Sequence, residues 1–327
     1  MKKLMLVISF FSIILMNNFS SIDVVEAEGI ETKEENCFFS NSSIVRIINN
    51  YNVFKGNGFV YSQDERYNYI VTSSNILSRS SNYKVIYEDG NIVEAILIGS
   101  ETQNQVALFR TKKNKNSQKV CKGNSNYISK GQLNYVYGYY DNNNSFSLQT
   151  YLSNVGVLYS NNNYKRIYKS LIQIQSNDYL MGSGVFDELG RLVGVITNLS
   201  EKMLDGTYMI DSNKLYKIAD NIIKTGNYKV NYIKYELEDY SLLGNIAKNK
   251  YGVNQNVSKG VVVTNFSFLR YIFGGLNKGM VIVAVNGVEI SNGYELDKQL
   301  IRYKKGSNIC LKVIKNNGKE AFYHVKV

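Results

Sequence analysis

Ten short runs of alternating apolar and polar residues follow one another between residues 44 and 196, separated by turn-forming Gly, Asn, Asp and Ser. Alternation with a period of two buries one face of a strand and exposes the other, so each run predicts a β-strand. Regularly spaced short strands are typical of barrels and sandwiches, and a mainly β fold is therefore expected. The ten runs cover residues 44–48, 58–61, 69–72, 83–87, 93–98, 106–110, 135–138, 155–159, 170–175 and 192–196.

The last third of the chain has a different pattern. Residues 214–224 carry apolar side chains on one helical face, with Ser212 or Asn213 as the expected cap and Gly226 as the expected stop. A basic connector, residues 227–234, leads into a mixed region. This pattern predicts a smaller α+β domain over residues 227–327, after a larger β domain over residues 43–226. The mixed region has predicted helices at 241–251 and 295–303 and predicted strands at 260–264, 281–285, 308–314 and 320–327.

The N-terminus has the pattern of a secretory signal peptide. Two lysines precede a mostly apolar run at residues 4–16, and Val25-Glu26-Ala27 forms a small-x-small cleavage pattern. We therefore expect a signal peptide over residues 1–27, a linker over residues 28–42 and a location outside the cytoplasm. An uncleaved N-terminal membrane anchor is the alternative, disfavoured because a membrane span needs about 20 apolar residues.

The composition restricts the chemistry. The 327 residues include no Pro, no Trp and a single His, His324, almost at the C-terminus. No metal site and no cofactor are predicted, because His-based metal sites and His-dependent triads lack their central residue. The net charge of +11 accompanies heavy use of Asn, Lys, Ile and Tyr, a codon-driven bias, so no nucleic-acid partner is inferred. Cys37, Cys121 and Cys310 lack metal-like spacing; incidental cysteines are favoured over a Cys37–Cys121 bridge.

Several segments together resemble a known family. Gly56-Asn57-Gly58-Phe59-Val60, followed by residues 70–76, is similar to the G-S-G-F and V-T-N-N-H-V motifs of HtrA/DegP-type, trypsin-fold serine proteases. Residues 99–108, 185–195 and 209–213 resemble later motifs of that family in the same order. The tail resembles a PDZ domain in residues 260–263, 275–282 and 285–287. The resemblance implies a chymotrypsin/trypsin-like double β-barrel followed by a small α+β PDZ-like domain.

The resemblance leaves the three catalytic positions without their usual residues. Asn75 stands at the His position, Gln105 at the Asp position and Met181 at the Ser position. A serine protease needs a hydroxyl nucleophile, an imidazole base and a carboxylate that orients the base, and losing them lowers kcat by about 10⁶-fold. An alignment shifted by two makes Ser183 the nucleophile, but it shortens the oxyanion-hole loop and leaves Asn75 unable to act as a base. No intact catalytic residues are predicted.

The PDZ-like domain raises the question of peptide binding. Relatives hold a peptide carboxylate with the backbone of a short loop, and the counterpart here is Tyr232-Ile233-Lys234-Tyr235, where Lys234 replaces a Gly. Leu296 and Leu300, on the predicted helix 295–303, are expected to form the other wall of the groove. A packing domain with a groove that binds nothing is the alternative.

Three functions follow as hypotheses. The leading one is a secreted HtrA-like pseudoprotease that binds peptides or unfolded proteins through the PDZ groove without hydrolysis, as a chaperone or adaptor in envelope protein quality control. The second is an active but atypical serine endopeptidase. The third is a basic, envelope-associated adhesion or structural protein that docks on anionic envelope polymers. The resemblance also implies a possible homotrimer, because relatives trimerise through aromatic residues and Phe38 and Phe39 precede the barrel here.

Overall fold

The computed structural model describes residues 39–78, 82–162, 165–199, 206–229, 231–265 and 275–327, all within one compact unit. The predicted signal peptide lies outside these ranges. The helices are α1 (Ser212–Thr225), α2 (Asn245–Tyr251) and α3 (Gly293–Leu300). The strands are β1 (Ile44–Asn49), β2 (Phe54–Gln63), β3 (Tyr67–Ser73), β4 (Tyr83–Ile86), β5 (Ile92–Glu101), β6 (Val106–Lys112), β7 (Cys121–Lys122), β8 (Leu133–Tyr139), β9 (Ser145–Asn162), β10 (Lys165–Ile172), β11 (Gly184–Phe186), β12 (Arg191–Leu199), β13 (Thr207–Asp211), β14 (Glu236–Asp239), β15 (Val261–Asn265), β16 (Val281–Val285), β17 (Val288–Glu289), β18 (Asn308–Ile314) and β19 (Glu320–Lys326).

The first six strands form a closed barrel in the order β1-β2-β3-β6-β5-β4. Its interior is filled by side chains with no exposed surface, among them Val45, Ile47, Val60, Ile70 and Phe109. These residues occupy the apolar positions of the alternating runs. Burying each such side chain contributes about 1.5–3 kcal/mol relative to leaving it in water.

The second barrel contains β8 to β13. Its strands follow the order β11-β8-β9-β10-β13-β12, and β11 also pairs with β12, so the six strands close on themselves. The short strand β7 adds to β12 in parallel. Strand β9 has 18 residues, although the alternation predicted only residues 155–159, because its first half carries several small polar side chains.

Helix α1 covers both barrels with its apolar face, on which Leu215, Ile218 and Ile222 are buried. The expected cap at Ser212 or Asn213 is wrong: the cap residue is Asp211, which makes no side-chain capping bond. One Asp211 carboxylate oxygen instead accepts a hydrogen bond from the Tyr294 hydroxyl at 2.6 Å. The helix ends at Gly226 as expected, with φ 70 and a backbone N–H bonded to the Ile222 oxygen.

The C-terminal sheet has the order β14-β15-β16-β18-β19, with β17 beside β16. Helix α3 begins after Asn292, whose side chain accepts from the Glu295 N–H, and it ends at Leu300 rather than Tyr303. Gly244 separates α2 from a preceding 3-10 turn, so the predicted helix 241–251 is broken. The expected fold class, a mainly β double barrel followed by a small α+β domain, is confirmed.

Two further observations concern cysteines and membranes. Cys121 is disulfide-bonded, so its interpretation as an incidental cysteine is wrong, while Cys310 is free. Cys37, the partner considered from the sequence, lies outside the described residues. In the described part of the chain, no helix is both long and apolar enough to cross a membrane.

Candidate functional site in the crevice between the barrels

Asn75 connects the two barrels. It lies in a 3-10 turn, Ser74–Ile76, directly after β3. Its side-chain Nδ2 donates to the backbone oxygen of Thr197 on β12 at 2.8 Å, and the Ser73 hydroxyl donates to the same oxygen at 3.2 Å. The amide of Asn75 is thus held by a second-barrel strand.

Gln105 lies on the same side of the crevice. Its φ is 61, an uncommon value for a residue with a Cβ, and its backbone oxygen accepts from the Ser74 N–H at 2.8 Å. This bond joins the turn that carries Asn75 to the loop that carries Gln105. The Gln105 Oε1 atom accepts a hydrogen bond from the Nζ of Lys169.

Lys169, on β10, has no exposed surface. Its Nζ donates to Gln105 Oε1, to Asn198 Oδ1 and, at 2.9 Å, to the Thr197 hydroxyl, and it lies 4.2 Å from the centre of the Tyr159 ring. Burial lowers the pKa of Lys169 well below its usual value, and the charge of Lys214 lowers it further. The crevice therefore contains a buried amine whose donors are directed at three oxygen atoms.

Asn57 joins the barrels on the other side. This buried side chain donates to the backbone oxygens of Tyr139 (3.2 Å) and Tyr179 (2.7 Å), and its Oδ1 accepts from the Tyr139 N–H (2.8 Å). The Asn57 backbone N–H donates to the Met181 oxygen at 2.8 Å. The loop that carries Met181 is therefore attached to β2 of the first barrel.

Met181 and Ser183 differ in their surroundings. The half-buried Met181 side chain packs against the first-barrel cluster that includes Ile76, next to Asn75. Ser183 has no exposed surface, and among the described residues its hydroxyl has no hydrogen-bond partner. A Cβ on Gly138 would lie 2.8 Å from that hydroxyl oxygen, so Ser183 faces β8. The assignment of Ser183 as a displaced nucleophile stays a prediction, and solvent does not reach it.

The residues expected to bind a peptide fall into two groups. Ile233, Tyr235, Leu296 and Leu300 are buried at 2–5% exposure in the core of the C-terminal sheet. The Tyr235 hydroxyl accepts from the Leu276 N–H at 3.1 Å. Tyr232 is half-buried and Lys234 is exposed. Of the six, Tyr232 and Lys234 therefore offer most of the accessible side-chain surface, and the role of all six stays a prediction.

The second barrel contacts the C-terminal domain where β14 meets α3. Asp239 Oδ1 accepts from Arg166 (3.1 Å), from the Tyr168 hydroxyl (3.3 Å) and from the Gly293 N–H (2.8 Å). A Cβ on Gly293 would lie 1.8 Å from the Tyr168 hydroxyl, so only glycine permits this approach. Lys214 on α1 pairs with Asp297 at 2.6 Å.

Three residues of the crevice were missed from the sequence: Asn57, Lys169 and Thr197. For Lys169 the signal was present, since alternation along β10 puts it on the same face as Ile167 and Leu171, which are 8% and 6% exposed. A lysine on the inner face of a strand must find partners. Asn57 lies between two glycines and Thr197 directly follows an apolar run, and neither carries a comparable signal.

The chemical groups present in the described part of the chain restrict what the crevice can do. Within it, no three His, Cys, Asp or Glu side chains lie together so as to hold a metal ion. The crevice network, which we define as Asn75, Thr197, Lys169 and Gln105, contains amides, a hydroxyl and an amine. It contains no imidazole, the group that transfers the proton in serine-protease chemistry, and no carboxylate, the group that orients the imidazole and stabilises its charged form.

Comparisons with known proteins agree with this architecture. Residues 56–195 match the trypsin-like peptidase domain family. A probable periplasmic serine endoprotease, DegP-like, from Bartonella henselae is 24% identical over 278 residues, covering 83% of this chain and 52% of the relative. A serine protease Do-like HtrA from Bacillus subtilis is 23% identical over 285 residues, covering 83% and 63%. The chain spans about half the length of the first of these relatives.

Solved structures show the same fold. The HtrA-type protease AlgW with a decapeptide superposes with a TM-score of 0.64 at 18% identity, covering 88% of this chain and 95% of that one. At this identity the likeness shows the fold, and it covers most of the chain. Residues 56–195 thus match the trypsin-like peptidase domain family, and the chain as a whole is similar to HtrA/DegP-type proteases in sequence and in fold.

Proposed function

We propose that this protein is a pseudoprotease of the HtrA type, which binds peptides or unfolded segments and does not hydrolyse them. The observation that carries the proposal is the crevice network. If Asn75 and Gln105 stand at the His and Asp positions, both are amides that cannot take up a proton near neutral pH. The buried amine of Lys169 lies beside Gln105, where a working triad needs negative charge.

The loop around Met181 supports the same proposal. In a trypsin-like site, the backbone N–H groups of the nucleophile and of the residue two positions earlier point at the developing oxyanion. With Met181 at the nucleophile position, these donors belong to Tyr179 and Met181. The Tyr179 N–H contacts Asn177 Oδ1 at 3.4 Å and the Met181 N–H donates to the Asp178 oxygen at 3.1 Å. Both donors are thus used inside the turn.

The size of the catalytic rate that is lost with the triad favours a binding function over a catalytic one. An enzyme without its triad retains about 10³–10⁴-fold acceleration over water, and that remainder depends on the oxyanion hole. Here the oxyanion donors are also satisfied internally, so less than this remainder is expected. Polypeptide recognition does not depend on these groups.

Hydrolysis is tested with fluorescein-labelled casein and a fluorophosphonate probe, with trypsin as the positive control. We expect neither cleavage nor labelling by the wild-type protein. Cleavage that is abolished by Ser183→Ala contradicts the proposal and supports the atypical endopeptidase.

Binding is tested by fluorescence anisotropy with labelled, reduced and carboxymethylated casein. We expect saturable binding, with intact casein recovered afterwards. Absence of binding to any polypeptide contradicts the proposal.

The organisation and location of the protein belong to the same proposal. We assign residues 43–226 to the protease-fold domain and residues 227–327 to the PDZ-like domain. The periplasmic naming of the DegP-like relatives supports a role outside the cytoplasm. Phe39 stacks on Tyr137 at 3.8 Å and lies 5.0 Å from the Phe186 ring, so this aromatic residue packs within its own chain. Chromatography with light scattering tests the homotrimer.

A further inference from the structure

The C-terminal sheet has two edges, and the second barrel contacts one of them. At β14, Arg166 of β10 bonds to Asp239 at 3.1 Å and approaches Glu238 at 3.7 Å. The other edge is β19, which in the described part of the chain pairs only with β18. Unpaired backbone groups on an edge strand are a template for an added strand.

The register shows which backbone groups of β19 face outward. His324 is opposite Cys310, whose N–H and C=O bond to Asn286 on the far side of β18. In an antiparallel ladder, pairs that exchange hydrogen bonds alternate with pairs that do not. His324 therefore belongs to a pair without ladder bonds, and its N–H and C=O point away from β18. The same holds for Phe322 and Lys326.

A large cleft lies along this edge. Its volume is about 1290 Å³, and β19 and residues 232–235 line it together with the loop after β5. Phe322, at 65% exposure, adds an apolar surface beside the exposed His324 and Lys326. This volume exceeds the roughly 300–1,000 Å³ of typical ligand pockets and leaves room for a short extended peptide.

The charge of the cleft identifies the occupant. Four exposed lysines line it: Lys229, Lys234, Lys305 and Lys326. Among the described lining side chains, the acidic one is Glu101, which is 5% exposed. Its carboxylate already accepts from the N–H groups of Gln103 (3.0 Å) and Asn104 (2.6 Å). The accessible charge is thus positive, and it attracts acidic side chains.

We propose that β19 is a docking edge for an extended acidic peptide, which adds as a further antiparallel strand in this cleft. The proposal rests on the proposed peptide-binding function and identifies both the surface and the chemistry of the partner. Backbone groups of Phe322, His324 and Lys326 bind the peptide main chain. The four lysines select glutamate and aspartate side chains, and Phe322 packs against an apolar residue.

The test uses the full-length protein and a fluorescein-labelled octapeptide of alternating valine and glutamate. His324→Pro removes one outward N–H without removing a ladder bond, whereas His324→Ala keeps that N–H. We expect the Kd to rise about tenfold or more in His324→Pro, and to stay within about twofold in His324→Ala. A peptide N-methylated at alternate amides probes the same bonds on the unaltered protein and should also bind at least about tenfold more weakly.

Charge selection is tested separately. A peptide with lysine in place of glutamate should bind at least about tenfold more weakly, and Lys305→Glu with Lys326→Glu should remove the preference for glutamate. The matched control is the double variant Lys115→Glu and Lys130→Glu, which changes two exposed lysines of the barrel region. It should keep the preference for the glutamate peptide over the lysine peptide.

Equal binding of the N-methylated peptide, or equal binding of the lysine peptide, overturns the proposal. So does a dimer that dissociates in His324→Pro, because a second copy then occupies the edge. If the wild-type protein binds casein but not the octapeptide, and casein binding persists in His324→Pro, the docking edge is overturned but the proposed pseudoprotease function stands. If wild-type protein binds neither casein nor the octapeptide, the proposed function fails as well.

Discussion

The Nζ of Lys169 donates a hydrogen bond to Oε1 of Gln105, although the two residues are 64 positions apart and belong to different barrels. Lys169 also bonds to Thr197, whose backbone oxygen accepts from Asn75. One buried amine thus connects the two positions at which the resemblance expects an imidazole and a carboxylate. A restored carboxylate at residue 105 would pair with this amine first.

The first prediction concerns Lys169 and pH. Burial lowers the pKa of Lys169 in the folded protein below its usual 10.5. Between the lowered value and 10.5, the unfolded chain binds more protons than the folded one, so this group makes stability rise with pH. We expect Lys169→Met to lose that contribution. In urea unfolding, the free energy of unfolding of the variant should increase less than that of the wild type between about pH 7 and pH 9.5.

Lys115→Met is the control for Lys169→Met, because Lys115 is exposed and should keep the wild-type pH dependence. Lys169→Met also leaves acceptors at Gln105 and Thr197 unpaired, so it should be less stable than wild type by about 1–3 kcal/mol or more. An identical pH dependence for wild type and Lys169→Met would show that the amine titrates normally.

The second prediction compares two glycines with nearly the same positive φ. Gly182 has φ 81, and a Cβ there would lie 2.0 Å from the Asn57 backbone oxygen. Gly90 has φ 80 with nothing within 4 Å of its Cβ position. We expect Gly90→Ala to lower the free energy of unfolding by about 1–2 kcal/mol, the cost of a left-handed alanine. Gly182→Ala should cost at least about 3 kcal/mol more, and equal costs in urea unfolding would contradict the close approach of the barrels.

The third prediction concerns the contact between α3 and the end of β13. The Tyr294 hydroxyl donates to the carboxylate of Asp211 at 2.6 Å, and burial raises the pKa of Asp211. Tyr294→Phe should lower the free energy of unfolding by about 1.5–3 kcal/mol at neutral pH, because the lost donor stabilises an ionised, buried group. The raised pKa means that folding favours the protonated acid, so Asp211 makes stability fall as pH rises above 3.8.

Removing the donor should raise the pKa of Asp211 further. The destabilisation by Tyr294→Phe should therefore be smaller near pH 4 than at pH 7. Tyr51→Phe, at a residue that is 86% exposed, provides the matched control and should leave the free energy of unfolding unchanged at both pH values. A loss that does not vary with pH would rule out an ionised Asp211 as the acceptor.

The fourth prediction concerns Arg166 and Asp239, whose side chains are 8% and 11% exposed. Breaking a buried pair leaves an uncompensated charge and costs about 3–5 kcal/mol. Arg166→Met should therefore loosen β14 from the second barrel, and hydrogen exchange of the β14 amides should become at least about tenfold faster. Arg302→Met, on an exposed arginine of the same domain, should leave this exchange unchanged.

Much of the local structure could be predicted from the sequence. The alternating runs located most strands, and the apolar face of residues 214–224 located α1. The predicted stop at Gly226 is confirmed by its left-handed conformation. The cap was misassigned to Ser212 or Asn213 because capping rules consider neighbours in sequence, while Asp211 bonds to Tyr294, 83 residues away.

The candidate site, too, could be predicted from the sequence only in part. The sequence by itself determined that no imidazole is available near Asn75, because the one histidine is His324 on β19. It also determined which side chains face inward, since alternation is a property of consecutive residues. Only the tertiary structure decided that Lys169 meets Gln105 and that β19 is the sheet edge open to a cleft. These contacts join residues far apart in the chain, and they depend on how the closed barrels and the C-terminal sheet pack together.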